Sequence, residues 1–371
     1  MAKKDTHDTD GEPIRHYPIE QLQEFSQRVF ESLGVPAADA KTAADILALS
    51  DLRGIDSHGV ARLELYSVRL RDGRINPRPQ FKTVRETPST ATIDGDNGLG
   101  LVVGPYANRL AMDKADQVGT GWVAVRGSNH YGIAGYYVLE ALTREQIGFT
   151  VTNTSSVVAP LNGRERMLGT NPIAMAFPGL EEPPVVIDLA TSAVAYGKIE
   201  MAIRKDKEIP DGWALDKDGY VTHNPNAVAA GGALLPLGSE ADRGGHKGYC
   251  LGALVDLLSG PLSGANWGPF TPSFTVGRAE PTEQVGIGLG HFFGSMRIDA
   301  FADVNEFKQS IDHWIRTFRG CAPVPGTDGP MIPGDPERQA EAIRRKTGIP
   351  LIPSVVEELR RISQACRVPF D

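Results

Sequence analysis

Cysteine is scarce: the 371 residues hold three, Cys250, Cys321 and Cys366, and no pair forms a CxxC. An odd and scattered set builds neither a disulfide framework nor a Cys/His zinc site, so the expectation is a reducing compartment and no metal. Long apolar runs are missing too. Nothing approaches the ~18 residues that cross a bilayer, and the N-terminal MAKKDTHDTDGEPIRHYP lacks the apolar stretch of a signal peptide. A cytoplasmic protein with roughly the first 15 residues frayed is expected. No Lys/Arg run offsets the net charge of -8, which argues against a nucleic-acid partner. The catalytic signatures GxxxxGK[ST], HExxH and GxSxG are all absent, removing P-loop kinases, zincins and nucleophile-elbow hydrolases. The one approach to a GxGxxG/A fingerprint, GTGWVA at 119–124, runs into a strand, whereas phosphate-binding glycines must lie between strand and helix.

What is present is a globular composition: 41% hydrophobic and 23% charged residues, with 41 glycines and 27 prolines implying many turns. The length allows one large or two interdigitated domains. IEQLQEFSQRVFESLG places Leu22, Phe25, Val29, Phe30 and Leu33 on one helical face and stops at Gly34. Pro36 opens a second helix through AADAKTAADILALSDLRG, and a third is expected to begin near His58. FKTVRE and STATIDG then read as paired strands. Helices (LVVGPYANRLAMDKADQVG, IAGYYVLEALTREQ, HKGYCLGALVDLLSG) afterwards alternate with strands (WVAVRG, IGFTVTN, IAMAF, PVVIDLA, GIGLGHFFGSMRI), the pattern of an α/β protein with helices on a mixed sheet. The last stretch returns to helix. Segments 17–78, 79–303 and 304–371 are the expected divisions.

Three polar clusters sit where strands or loops hand over to helices, the places where α/β proteins put ligands. In DLRGIDSHGVARL, a helix capped by Asp56 or Ser57 would carry His58 and Arg62 four residues apart on one face. A guanidinium grips a carboxylate at two points and an imidazole trades a proton near neutral pH, so the trio suits an acid substrate. The plain alternative is a helix cap with Arg62 paired to Glu64 or Asp56. GSNHYGIAGYY presents His130 after a strand, again either a proton carrier or a loop histidine satisfying backbone groups. PVVID ends at Asp188, with Thr191 or Ser192 placed to cap the next helix, and GGHKGYCLG offers Lys247 at a helix start, a natural anion site. Asp188 could bond a ribose hydroxyl or orient a histidine.

DLRGIDSHGVARL, GSNHYGIAGYY, GTNPIAMAFP, VIDLATS, GHKGYCLGALVDLLSG and PGDPERQAEAIRRKTGIPLIP, in this order, resemble the second-type malate/L-lactate dehydrogenase family over about residues 17 to 360. The resemblance implies a non-Rossmann, mixed-sheet NAD- or NADP-binding domain. It further implies a helical part built from both chain ends and a homodimer whose active site involves both subunits. It also implies that Ser57, His58 and Arg62 line the substrate pocket with His130 across it, and that Thr154, Asp188, Leu189, Ala190, Lys247 and the Gly334-Asp335 turn hold the cofactor. The implied reaction is hydride transfer between NAD(P) and a small 2-hydroxy or 2-oxo acid, malate or lactate foremost, with His58 or His130 moving the proton. A reductase of cyclic imino acids or diketo-acids, or a dinucleotide-binding protein without turnover, would use the same residues. The chain departs from the family pattern in GHFFGSMRI, with Gly294, Ser295 and Arg297, and in the long loop ANWGPFTPSF with Trp267 and Phe270. Both departures are expected to trim the pocket.

Overall fold

A computed structural model describes residues 14–274 and 280–370; most of the N-terminal stretch expected to fray lies outside them. After β1 (Arg15–Tyr17) come α1 (Ile19–Ser32) and α2 (Ala37–Leu52), each entered from a proline. α1 buries Leu22, Phe25, Val29 and Phe30, the face its periodicity marks out. The third helix does not start at His58. Two single 3-10 turns, Asp56–His58 and Val60–Arg62, precede α3 (Leu63–Arg71), with Gly59 between them at φ -88°, ψ -145°. A continuous helix is blocked because the chain here closes onto the buried carboxyl group of Asp51. A Cβ on Gly59 would stand 1.8 Å from Asp51 Oδ1, and the Val60 N–H donates to Oδ2 at 2.8 Å.

The sheet follows: β2 (Lys82–Glu86), β3 (Thr90–Asp94), α4 (Gly100–Val118), β4 (Thr120–Ser128), α5 (Ala134–Leu142), β5 (Gln146–Thr152), β6 (Ile173–Phe177) and β7 (Val185–Leu189). A smaller excursion holds α6 (Tyr196–Arg204), β8 (Ala214–Leu215), α7 (Pro225–Ala229) and β9 (Ala233–Leu234); α8 (Gly245–Ser259) and β10 (Leu289–Arg297) come next. Seven strands lie in the order β2-β3-β4-β10-β5-β6-β7. Only β3 and β4 are parallel neighbours; β10 inserts antiparallel between β4 and β5. Because β4, β5 and β7 nonetheless run the same way, their C-terminal ends open onto one rim of the sheet. GTGWVA serves packing: Gly119 ends α4 at φ 89°, and a Cβ on Gly121 would meet the Ala111 carbonyl oxygen at 1.9 Å. The small residues of β10 are structural as well. Gly294 lies opposite Trp122, whose ring would be 2.3 Å from an added Cβ, and buried Ser295 donates to Gln146 Oε1 at 2.6 Å.

The chain ends meet. β11 (Ile349–Leu351) pairs antiparallel with β1, and α11 (Pro353–Cys366) packs on α1 and α3 in a core shared by Leu22, Phe30, Tyr66, Ile349 and Leu359. α10 (Asp335–Thr347) packs on α2. α9 (Val304–Arg319) instead lays Ile315 against Val185 of β7 and Ile332. Among the described residues no helix is long and apolar enough to cross a membrane.

Candidate active site

The paired 3-10 turns bring Ser57, His58 and Arg62 together by a route other than helical spacing. Ser57 Oγ lies 2.8 Å from His58 Nδ1, and Arg62 donates from Nε to the Ser57 carbonyl oxygen at 2.6 Å, so the guanidinium folds back over the turn. The plain alternative for Arg62 is not realised. Asp56 pairs with Arg344 and Glu64 with Arg361, and no carboxylate among the described residues pairs with Arg62.

His130, in the loop that follows β4, reaches the same place. Its ring lies near-parallel to that of His58, centroids 5.5 Å apart. The Tyr66 hydroxyl is 2.6 Å from His130 Nδ1, and the Gly132 N–H donates to the same nitrogen at 3.3 Å. An amide can only donate, so Nδ1 is the acceptor, the phenol donates too, and the ring proton of neutral His130 is on Nε2. Two residues here escape sequence reasoning. Tyr66 reads as one more apolar position of a helix, although it lies four residues after Arg62. Phe274, at the end of the loop ANWGPFTPSF, stacks on His130 at 4.5 Å, whereas Trp267 and Phe270 of that loop pack on each other at 5.1 Å. Arg69, one turn beyond Tyr66, stands 5.6 Å from the Phe274 ring centroid.

Both imidazoles are half-buried. Burial first, and the Arg62 charge second, bring His58 down to about 4. Burial, then His58, Arg62 and His291, also hold His130 well below the usual imidazole range. Burial pushes the Tyr66 phenol upward, keeping it a donor. At neutral pH the cluster is therefore one fixed positive charge beside two neutral imidazoles.

Of the residues expected to hold a dinucleotide, Thr154, Asp188, Leu189 and Ala190 lie where β5 and β7 end. Asp188 is open to solvent at its rim yet deep among protein atoms, and burial lifts its carboxyl to about 6 against the Gly135 N–H, which donates to it at 2.7 Å. That hydrogen bond goes to the loop-helix junction after His130. The expectation that Asp188 orients an imidazole is thus corrected: Ser57 and Tyr66 hold the two Nδ1 atoms. Leu189 is exposed at the strand end, unusual for an apolar strand residue, and Ala190 is half-buried beside it. Thr154 accepts from the Thr170 N–H at 3.1 Å, and Thr191 N–H donates to the Thr170 carbonyl, tying the β5 and β7 ends together. Thr191 and Ser192 cap no helix; the Thr191 hydroxyl donates to the Thr170 and Asn171 carbonyls, and α6 starts only at Tyr196.

Gly252 of α8 faces Thr191, which brings the helix start with exposed Lys247 to the same region. Gly334, at φ 98°, abuts Val186 of β7, while the Asp335 carboxylate is engaged by Arg338 at 2.5 Å and Arg319 at 3.1 Å. An apolar strand tip and a lysine at a helix start have the chemistry to meet a dinucleotide's sugars and phosphates.

Residues 17–360 match the malate/L-lactate dehydrogenase family. The chain is 44% identical over 348 residues to malate dehydrogenase of Pyrococcus horikoshii, covering 94% of each protein. It is 41% identical over 334 residues to L-sulfolactate dehydrogenase of Methanocaldococcus jannaschii, covering 90% of this chain and 92% of the relative. The crystal structure of malate dehydrogenase from Entamoeba histolytica superposes with a TM-score of 0.90 at 36% identity, over 96% of this chain and 99% of the other. Fold and relatives together define the class, an oxidoreductase of the hydroxy acid dehydrogenase type. The chain belongs to the malate/L-lactate dehydrogenase family.

Proposed function

We propose that the protein transfers hydride reversibly between NAD(P) and C2 of a small 2-hydroxy acid, malate or lactate being the leading substrates. The observation that carries this is Arg62: a half-buried guanidinium without a carboxylate partner among the described residues, beside two neutral imidazoles. Such a cation binds an organic acid, and its two-point grip fixes the neighbouring carbinol carbon. Burial is the main cause that depresses His58 and His130; the substrate carboxylate would offset the lesser part due to Arg62, raising their basicity as the carbinol proton needs an acceptor. His58 or His130 takes that proton in oxidation and returns it in reduction; Ser57 and Tyr66 hold the rings at Nδ1 so that Nε2 is the atom in play. A nicotinamide, when bound, supplies or accepts the hydride. Thr154, Asp188, Leu189, Ala190, Lys247 and the Gly334-Asp335 turn would hold it, and Phe274 excludes water from one face of His130.

The reading includes a homodimer. Along α8, next to Lys247, Leu251, Leu254 and Leu257 are 37%, 46% and 60% exposed, an apolar stripe that a second copy would cover. Three unpaired thiols accord with a cytoplasmic setting.

The test is turnover of malate, lactate and a panel of 2-oxo and cyclic imino acids with NAD(H) and NADP(H), for the wild type, His58→Ala and His130→Ala. The histidine that moves the proton loses on the order of 10²–10⁴ in rate. If neither variant loses about 10², the proton-transfer assignment fails.

A further inference from the structure

The segment that carries Ser57 and His58 has little structure of its own. It consists of two single 3-10 turns around a glycine, neither with a side-chain cap. From one side it is held by Asp51. From the other it is held by Arg344, 288 positions away in the last turn of α10. The Arg344 guanidinium donates from Nη1 to both the Asp51 carbonyl oxygen and Asp56 Oδ1, and from Nη2 to Asp56 Oδ2 at 3.2 Å. Asp56 is the residue immediately before Ser57. The same helix makes a second link one turn earlier, where Glu341 meets buried Arg53 at 3.4 Å. The first turn of α10 begins at the Gly334-Asp335 turn, which abuts Val186 near the start of β7, so one helix runs from the edge of the sheet to the segment that carries Ser57 and His58.

We propose that Arg344 and Asp56 form a positioning pair, whose function is to fix where Ser57 and His58 stand relative to His130 and Arg62. This rests on the dehydrogenase reading above. The two ends of the pair differ in exposure: the Asp56 side chain is 55% exposed and the Arg344 side chain 14%. The water-screened Asp56 end contributes little to global stability, so Asp56→Asn separates a positioning role from a stabilising one. The pair's geometry is nevertheless two-pronged, with a third donation to the backbone at the end of α2, so it restricts orientation well. A displacement of about 1 Å at the reacting groups costs on the order of 10²-fold in rate, far more than such a pair contributes to folding.

The experiment compares Arg344→Gln, Asp56→Asn and the double variant with Arg345→Gln, which removes an exposed pair to Glu341 on the same helix. Hydrogen exchange of residues 55–62, thermal midpoint, and kcat and KM for 2-hydroxy acid oxidation are measured in each. Both single variants should exchange faster within 55–62 and lose about 10- to 100-fold in kcat. Cofactor affinity should stay near wild type in both and the thermal midpoint in Asp56→Asn, and the double variant should turn over no more slowly than the poorer single. Added guanidinium ion should restore part of the activity of Arg344→Ala, a response that a general loss of structure would not give. Unchanged exchange in 55–62 for both Arg344→Gln and Asp56→Asn overturns the proposal. A wild-type protein that oxidises no 2-hydroxy acid would overturn the functional reading instead, while the exchange measurement would still decide the positioning claim.

Discussion

The Tyr66 hydroxyl donates to His130 Nδ1 across 2.6 Å, joining α3 of the helical part to the loop after β4 of the sheet. Arg62 stands four residues before Tyr66 on the same stretch, so one short segment carries both the proposed acid clamp and the group that fixes an imidazole. Tyr66→Phe removes the donor and leaves only the longer Gly132 contact. It should lower kcat on the order of 10- to 100-fold with KM little changed, read from steady-state oxidation. A larger change in KM than in kcat would show that Tyr66 binds substrate instead.

Proton transfer should show an unusually acid-tolerant profile. With His58 brought down to about 4 by burial and Arg62, the free enzyme holds a neutral base across the whole neutral range. In the oxidative direction kcat/KM should therefore stay level from pH 8 to pH 5 and fall only toward pH 4. A limb centred near 6.5, the value of an unperturbed imidazole, would contradict this environment. In the substrate complex the bound carboxylate opposes Arg62, so the kcat limb should lie at higher pH than the kcat/KM limb.

Asp51 gives a stability prediction of definite sign. Burial lifts its carboxyl to about 8, against the lowering effect of the Val60 N–H. The folded state retains a proton that the unfolded chain releases above about 4, so this residue destabilises progressively as pH rises from about 4 to 8. Asp51→Asn keeps an oxygen for Val60 and removes that titration. Its thermal midpoint relative to wild type should rise between pH 5 and pH 8; a difference independent of pH would contradict the shift.

Gly59→Ala tests the same junction sterically. A Cβ 1.8 Å from Asp51 Oδ1 forces the turn and the carboxylate apart. Denaturant unfolding should show a loss of about 1–3 kcal/mol, accompanied by loss of turnover because His58 and Arg62 flank the glycine. Wild-type stability would show that the turn relaxes freely.

Much of this was legible in the sequence because periodicity survives translation into structure. The apolar spacing of α1 and the run WVAVRG mark buried faces that the fold then uses. Ser57, His58, Arg62 and His130 are visible as polar residues at element junctions. Their arrangement is another matter. Helical spacing places His58 and Arg62 on one face, but the close approach of Gly59 to Asp51 breaks the helix, and a backbone hydrogen bond brings the guanidinium round. Asp56 reads locally as a cap and is in fact the partner of Arg344, because a contact across 288 positions leaves no local pattern. Gly294 and Ser295 read as pocket features and are packing features, since the register that sets Gly294 against Trp122 cannot be seen along one strand.

The central claim, that an organic acid is gripped by Arg62, is tested most directly by kcat/KM of Arg62→Lys for its best 2-hydroxy acid. An ammonium cannot reproduce a planar fork that donates to the Ser57 carbonyl from Nε and keeps both Nη groups for the proposed carboxylate. The account predicts a loss on the order of 10²-fold or more, with cofactor affinity unchanged; wild-type kinetics in Arg62→Lys would contradict it.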